Sequence, residues 1–142
     1  MAKAKVSEKA PFVGIIGMGY VGLPLAREFI IRGAKVIGFD INERNVKRLN
    51  SGQSPLKHIP SSDISDMVKT GRFITTTDMK LMSKPDALII CVPTPLTENR
   101  EPDMTYIVVT CETIAKYLRK GQLVALESTT YPGTTREVMK PI

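Results

Sequence analysis

Three glycines at positions 17, 19 and 22 and an aspartate at position 40 carry the most chemical information in the sequence. They lie in one stretch, PFVGIIGMGYVGLPLAREFIIRGAKVIGFD, residues 11–40. A turn free of side chains at the start of a helix exposes backbone N–H groups, and such groups bind anions. The spacing G-x-G-x-x-G divides the work. Gly17 permits a tight turn out of a strand, Gly19 lets a diphosphate approach the backbone, and Gly22 lets a helix pack close to the strand. Asp40 falls 18 residues past Gly22, about where a carboxylate meets the hydroxyls of a ribose. The chemistry these residues describe together is the binding of a dinucleotide.

The other reactive side chains are sparse. Thr94 stands between Pro93 and Pro95, and Thr129 stands in the polar run ESTT, residues 127–130. Cys91 and Cys111 have no metal-ligand spacing and read as buried thiols. His58, the one histidine, sits in a loop away from the expected strand ends, with no second ligand candidate nearby, so no metal site is expected.

These residues need elements to position them. Phe12–Ile16 is an apolar, branched strand, and a helix is expected over 20–32, with Gly22, Ala26, Phe29, Ile30 and Gly33 on its inward stripe. Lys35–Phe39 is a second strand ending at Asp40. A helix is expected over 41–50, capped by Asn42, with Ile41 and Val46 spaced as a hydrophobic staple. Arg44 in its first turn either edges an adenosine pocket or lies exposed. A short helix at 62–70 and a strand at 73–77 follow, and Asp78 is placed to cap one helical turn.

The run DALIICV, 86–92, suits a strand buried on both faces, and the prolines after it force the chain out of the sheet. Loops at the carboxyl ends of parallel strands form the ligand crevice, so Thr94 either touches a cofactor or is a turn threonine between two prolines. A helix is expected over 104–120 and a strand at 123–126. Thr134 and Glu137 have the spacing of a capping box for a helix running to the end. The alternation predicts an α/β fold, a doubly wound parallel sheet of Rossmann type, in the order 3-2-1-4-5 and ending before a sixth strand.

Composition agrees with one globular domain over 11–142, preceded by a loose, lysine-bearing tail at 1–10. The formal net charge of +6 suits a phosphate-rich ligand, but outside the tail the excess is too modest to point to nucleic acid. No apolar run reaches membrane-spanning length. Two buried thiols fit the reducing cytoplasm.

Three signatures occur together: GMGYVGLPLA at 17–26, VPTPL at 92–96 and ESTTYPGTT at 127–135. In this combination the chain resembles the UDP-glucose/GDP-mannose dehydrogenase family over Pro11 to Ile142. It is most like the branch acting on UDP-N-acetylglucosamine or UDP-N-acetylmannosamine. The resemblance implies an enzyme that oxidises a sugar C6 alcohol to a carboxylate with two NAD, acts in polysaccharide biosynthesis and forms a homo-oligomer. It implies that Gly17, Gly19, Tyr20, Val21 and Gly22 cradle the pyrophosphate and that Asp40 takes the adenosine ribose. Thr94 and Thr129 would lie along the cofactor, and Thr129 would also position a catalytic water. The basic residue often found five positions after the ribose acid is Asn45 here, and whether Arg44 replaces it stays open. The family's catalytic glutamate, lysine, asparagine, cysteine and aspartate match positions beyond Ile142. This chain is therefore expected to bind NAD without turning over a UDP-sugar.

Two other readings compete. One is a β-hydroxyacid-type NAD dehydrogenase domain, which would not be expected to carry VPTP and ESTTYPG together. The other is a stand-alone nucleotide-binding module.

Overall fold

The structure, a computed structural model, describes residues 10–142. The tail expected over 1–10 therefore lies, except for Ala10, outside the described residues. Five strands, β1 (Phe12–Ile16), β2 (Lys35–Phe39), β3 (Phe73–Thr76), β4 (Ala87–Ile90) and β5 (Leu123–Leu126), form one sheet in the order β3-β2-β1-β4-β5. Every neighbouring pair is parallel. The order is the one the strand–helix alternation predicts.

The register explains why this sheet can carry a site. Ile16 pairs with Phe39 and with Ile90, Phe39 pairs with Thr76, and Ile90 pairs with Leu126. All five strands thus end level. The glycine loop, Asp40, the proline-rich segment after β4 and the threonines after β5 leave the same edge of the sheet together.

Two apolar cores flank the sheet. On one face, Leu23, Ala26 and Ile30 of α1 (Gly22–Ile31) pack with Leu49 of α2 (Glu43–Asn50) and with Ile64 and Met67 of α3 (Ser61–Lys69). On the other, Ile107, Cys111 and Ile114 of α4 (Thr105–Tyr117) pack with Phe39, Leu88 and Met82, the last from a 3₁₀ helix at Met79–Ser83. These inward residues recur at steps of three and four, and their burial away from water drives the assembly.

Local signals account for most element ends. The Asn42 side chain accepts N–H bonds from Arg44 and Asn45 and caps α2. Asp78 does the same for Lys80 at the 3₁₀ helix. The staple expected beside Asn42 does not form, because Ile41 is 84% exposed. The helix expected to start at Tyr20 starts at Gly22, since residues 20 and 21 are spent on the turn.

The last helix is only a π-helical turn, Thr135–Met139. The capping box does not form there. The Thr134 hydroxyl donates to the Tyr131 carbonyl at 2.8 Å and lies 2.6 Å from the Thr130 hydroxyl. A local hydroxyl–carbonyl bond competes directly with capping, and here it wins.

Asn50 at the end of α2 pins the outer strand β3. Its amide donates to the Thr75 carbonyl at 2.9 Å, and its carbonyl accepts from the Thr75 N–H at 2.8 Å. The buried Thr75 hydroxyl lies 2.9 Å from the same carbonyl. Asn50→Ala is expected to cost about 1–3 kcal/mol, because it strands polar groups of β3. Urea titration checks this, and an unchanged midpoint would contradict it.

Candidate functional site

The glycine loop is built against the ends of β2 and β4. Gly17 adopts φ +96°, and a Cβ there would lie 2.5 Å from the Cys91 carbonyl oxygen. Both facts demand glycine. Its N–H donates to the Phe39 carbonyl at 2.8 Å, which ties the loop to β2. Met18 follows, almost fully buried, and its thioether fills the space that Gly38 leaves without a side chain. A methionine between two glycines gives no periodic signal.

Gly19 differs from its neighbours. Nothing lies within 4 Å of where its Cβ would stand, so the loop opens there to solvent. The Gly19 carbonyl accepts from the Leu23 N–H at 3.1 Å, which starts the α1 ladder. Among the described residues, the N–H groups of Gly19, Tyr20, Val21 and Gly22 make no hydrogen bond. They are the unspent donors of a helix N-terminus. At Gly22 a Cβ would collide with the Gly17 carbonyl, so the helix starts in contact with the strand-to-loop turn.

Asp40 stands at the end of β2, partly buried. Its Oδ2 accepts from the Met18 N–H at 3.2 Å and its Oδ1 from the Asn42 N–H at 2.8 Å. One carboxylate thus joins the glycine loop to the start of α2. Each oxygen keeps further lone-pair capacity for a donor from outside. Arg44 is exposed on the first turn of α2, with its N–H held by the Asn42 side chain at 3.1 Å.

Thr94 is half-buried after β4, and Thr129 is exposed after β5. The Ser128 hydroxyl donates to the Val92 carbonyl at 2.8 Å and fastens these two segments together. Thr94 and Thr129 therefore leave adjacent strands at the sheet edge that holds Gly17 and Asp40.

His58 is not remote from this edge. Its imidazole stacks on Tyr20 of the glycine loop, with centroids 5.1 Å apart and planes 10° apart. The connection between α2 and α3 returns the chain to the top of the sheet, and no local pattern in SGQSPLKHIP reveals that course. Among the described residues, no three His, Cys, Asp or Glu side chains come together as a metal site.

Both cysteines are free and buried. Burial, and then the negative charge of Glu127, push the Cys91 thiol up to about 11. Burial also raises Cys111. A thiol in that state is a poor nucleophile at neutral pH. Alkylation of Cys91 by iodoacetamide is expected to be slow at pH 8, to rise as pH approaches 11, and to become fast at pH 9 in denaturant. Mass-spectrometric labelling across pH checks it, and rapid native labelling at pH 8 would contradict it.

Comparison with known proteins identifies what these parts belong to. Residues 12–142 match the model of the UDP-glucose/GDP-mannose dehydrogenase family, NAD binding domain. The chain belongs to this family. It contributes the family's NAD-binding portion, and its cofactor is NAD. It is 39% identical over 132 residues to the UDP-N-acetyl-D-glucosamine 6-dehydrogenase of Pseudomonas aeruginosa, covering 92% of this chain and 30% of that protein. It is 41% identical over 129 residues to the UDP-N-acetyl-D-mannosamine dehydrogenase of Escherichia coli K12, covering 89% of this chain and 30% of that protein. Among solved structures, a ternary complex of GDP-mannose dehydrogenase from P. aeruginosa superposes with a TM-score of 0.85 at 34% identity. That match covers 91% of this chain and 31% of the other. The chain thus spans about a third of the length of the relatives it matches. No helix among the described residues is long and apolar enough to cross a membrane.

Proposed function

We propose that Gly17, Gly19, Tyr20, Val21 and Gly22 hold the diphosphate of NAD and that Asp40 takes its adenosine ribose hydroxyls. Arg44 stands at the rim of the adenosine pocket, and Thr94 and Thr129 lie along the rest of the cofactor. The observation that carries this reading is the row of four unspent N–H groups beside the open side of Gly19. Donors in that arrangement, on the positive end of a helix, suit an anion, and the open backbone leaves room for one. NAD, when bound, supplies the hydride acceptor, and the chain's own residues bind and orient it.

The whole enzyme, on this reading, oxidises the C6 alcohol of a UDP-N-acetylhexosamine to a carboxylate for polysaccharide biosynthesis. Two relatives near 40% identity, named for UDP-N-acetyl sugars, support that branch. Thr129 positions a water for the reaction, the protein works in the cytoplasm as a homo-oligomer, and its partner is the UDP-sugar.

Calorimetric titration with NAD and with NADP tests the cofactor assignment. The Asp40 carboxylate repels a 2′-phosphate, so NADP is expected to bind about tenfold or more weakly than NAD. Equal binding, or a preference for NADP, would remove Asp40 from the ribose and hand that position to Arg44.

A further inference from the structure

We propose that His58 is a positioning residue of the dinucleotide site, whose imidazole holds Tyr20 and with it the glycine loop in the conformation that presents the free amides. This inference deepens the assignment of the glycine loop to the diphosphate and rests on it.

The outer side of that loop is held to α1 through its carbonyls, Gly19 accepting from the Leu23 N–H at 3.1 Å and Val21 from the Leu25 N–H at 3.2 Å, and not through its amides. The N–H groups from Gly19 to Gly22 are unbonded among the described residues, and the space beside Gly19 is empty. The Tyr20 ring is 75% exposed, yet it lies nearly parallel to the imidazole at a centroid distance of 5.1 Å. Offset stacking of this kind is an attractive contact for two rings.

The segment that carries the other ring is tied down on both sides of His58. The buried Ser54 hydroxyl donates to the Leu56 carbonyl at 2.9 Å and accepts from the Leu56 N–H at 3.1 Å. The Ser54 N–H donates to the Ser61 hydroxyl at 3.0 Å, and the Arg48 guanidinium donates to the Ser54 carbonyl at 2.5 Å. Ile59, next to His58, is 8% exposed and belongs to the core. The connection between α2 and α3 is therefore a rigid bracket that carries an aromatic ring to a glycine-rich turn. A glycine loop that is free before binding loses backbone entropy when a ligand orders it. A stack that orders the loop beforehand removes part of that cost from binding.

The test is a double-mutant cycle read by calorimetric titration of NAD and of ADP-ribose, which carries the diphosphate without the nicotinamide. His58→Ala is expected to weaken both ligands about fivefold. Tyr20→Ala is expected to weaken them by a similar factor, and the double variant by no more than either single one. His58→Phe, which keeps a flat ring, is expected to stay within about twofold of the parent. Both side chains are exposed, so melting temperatures are expected to hold within a few degrees in all four variants. The inference is overturned if His58→Ala binds like the parent, if His58→Phe is as weak as His58→Ala, or if the two alanine effects multiply. A parent chain that binds neither ligand overturns the diphosphate assignment and this inference together. A parent that binds both, with His58→Ala unchanged, overturns this inference alone.

Discussion

Replacing Gly19 by valine is expected to weaken NAD binding by about a hundredfold or more, equivalent to about 2.7 kcal/mol, while the fold persists. A Cβ at Gly19 meets nothing within 4 Å, so the protein itself has room for the new side chain. That empty room is the space the proposed diphosphate needs against the backbone. The valine methyls would occupy it and shield the adjoining N–H groups of Tyr20 and Val21. Titration with NAD and a thermal melt of the same sample separate the two effects. A variant that melts like the parent and binds NAD like the parent would remove the glycine loop from the phosphate site.

Gly22→Ala is expected to act in the opposite way, through the fold. The added Cβ would overlap the Gly17 carbonyl oxygen and lie 3.0 Å from the Gly17 carbonyl carbon. Backbone cannot swing aside as the end of a flexible side chain does. Gly17 is already held by its bond to the Phe39 carbonyl and by its fit against Cys91. The helix must therefore move off the strand, taking the fully buried Leu23 and Ala26 with it. The loss is expected to be about 3 kcal/mol or more, at the upper end for overpacking. Denaturant unfolding measures it. A loss below about 1 kcal/mol would mean that the turn has slack which the contact with Gly17 denies. The two glycines sit three positions apart in one motif, yet one leaves room for ligand and the other for protein.

The parts of this fold that were legible in the sequence are those governed by local rules. Apolar runs located β1, β2 and β4, and spacing at three and four located the helical stripes. Asn42 and Asp78 marked their helix starts because side-chain capping depends on neighbours two or three positions away. The parts that were not legible turn on a choice between competing local bonds or on contacts distant in sequence. Ile41 has the right spacing for a staple, but the bond from the Asn42 N–H to Asp40 coincides with a chain that leaves Ile41 in solvent. Thr134 had a capping pattern and found the Tyr131 carbonyl first. The stack of His58 on Tyr20 joins residues 38 apart in the chain, through a connection with no periodicity. Of the candidate site, the place of the glycines at the strand-to-helix turn and of Asp40 at the end of β2 was legible because a motif specifies it. Met18 and Ser128 were not, because their work is to tie loops together after the sheet has formed.

If Asp40 takes the adenosine ribose as proposed, it is also the keystone of any attempt to re-engineer cofactor preference. A designer seeking a protein that takes a 2′-phosphate would begin by removing this carboxylate. Here the same two oxygens hold the Met18 and Asn42 amides, so their removal also unties the glycine loop from the start of α2. A single neutral substitution would then trade repulsion of phosphate for a looser diphosphate cradle, and affinity for both cofactors would fall together. A workable exchange has to supply new acceptors for those two amides before it supplies a cation for the phosphate.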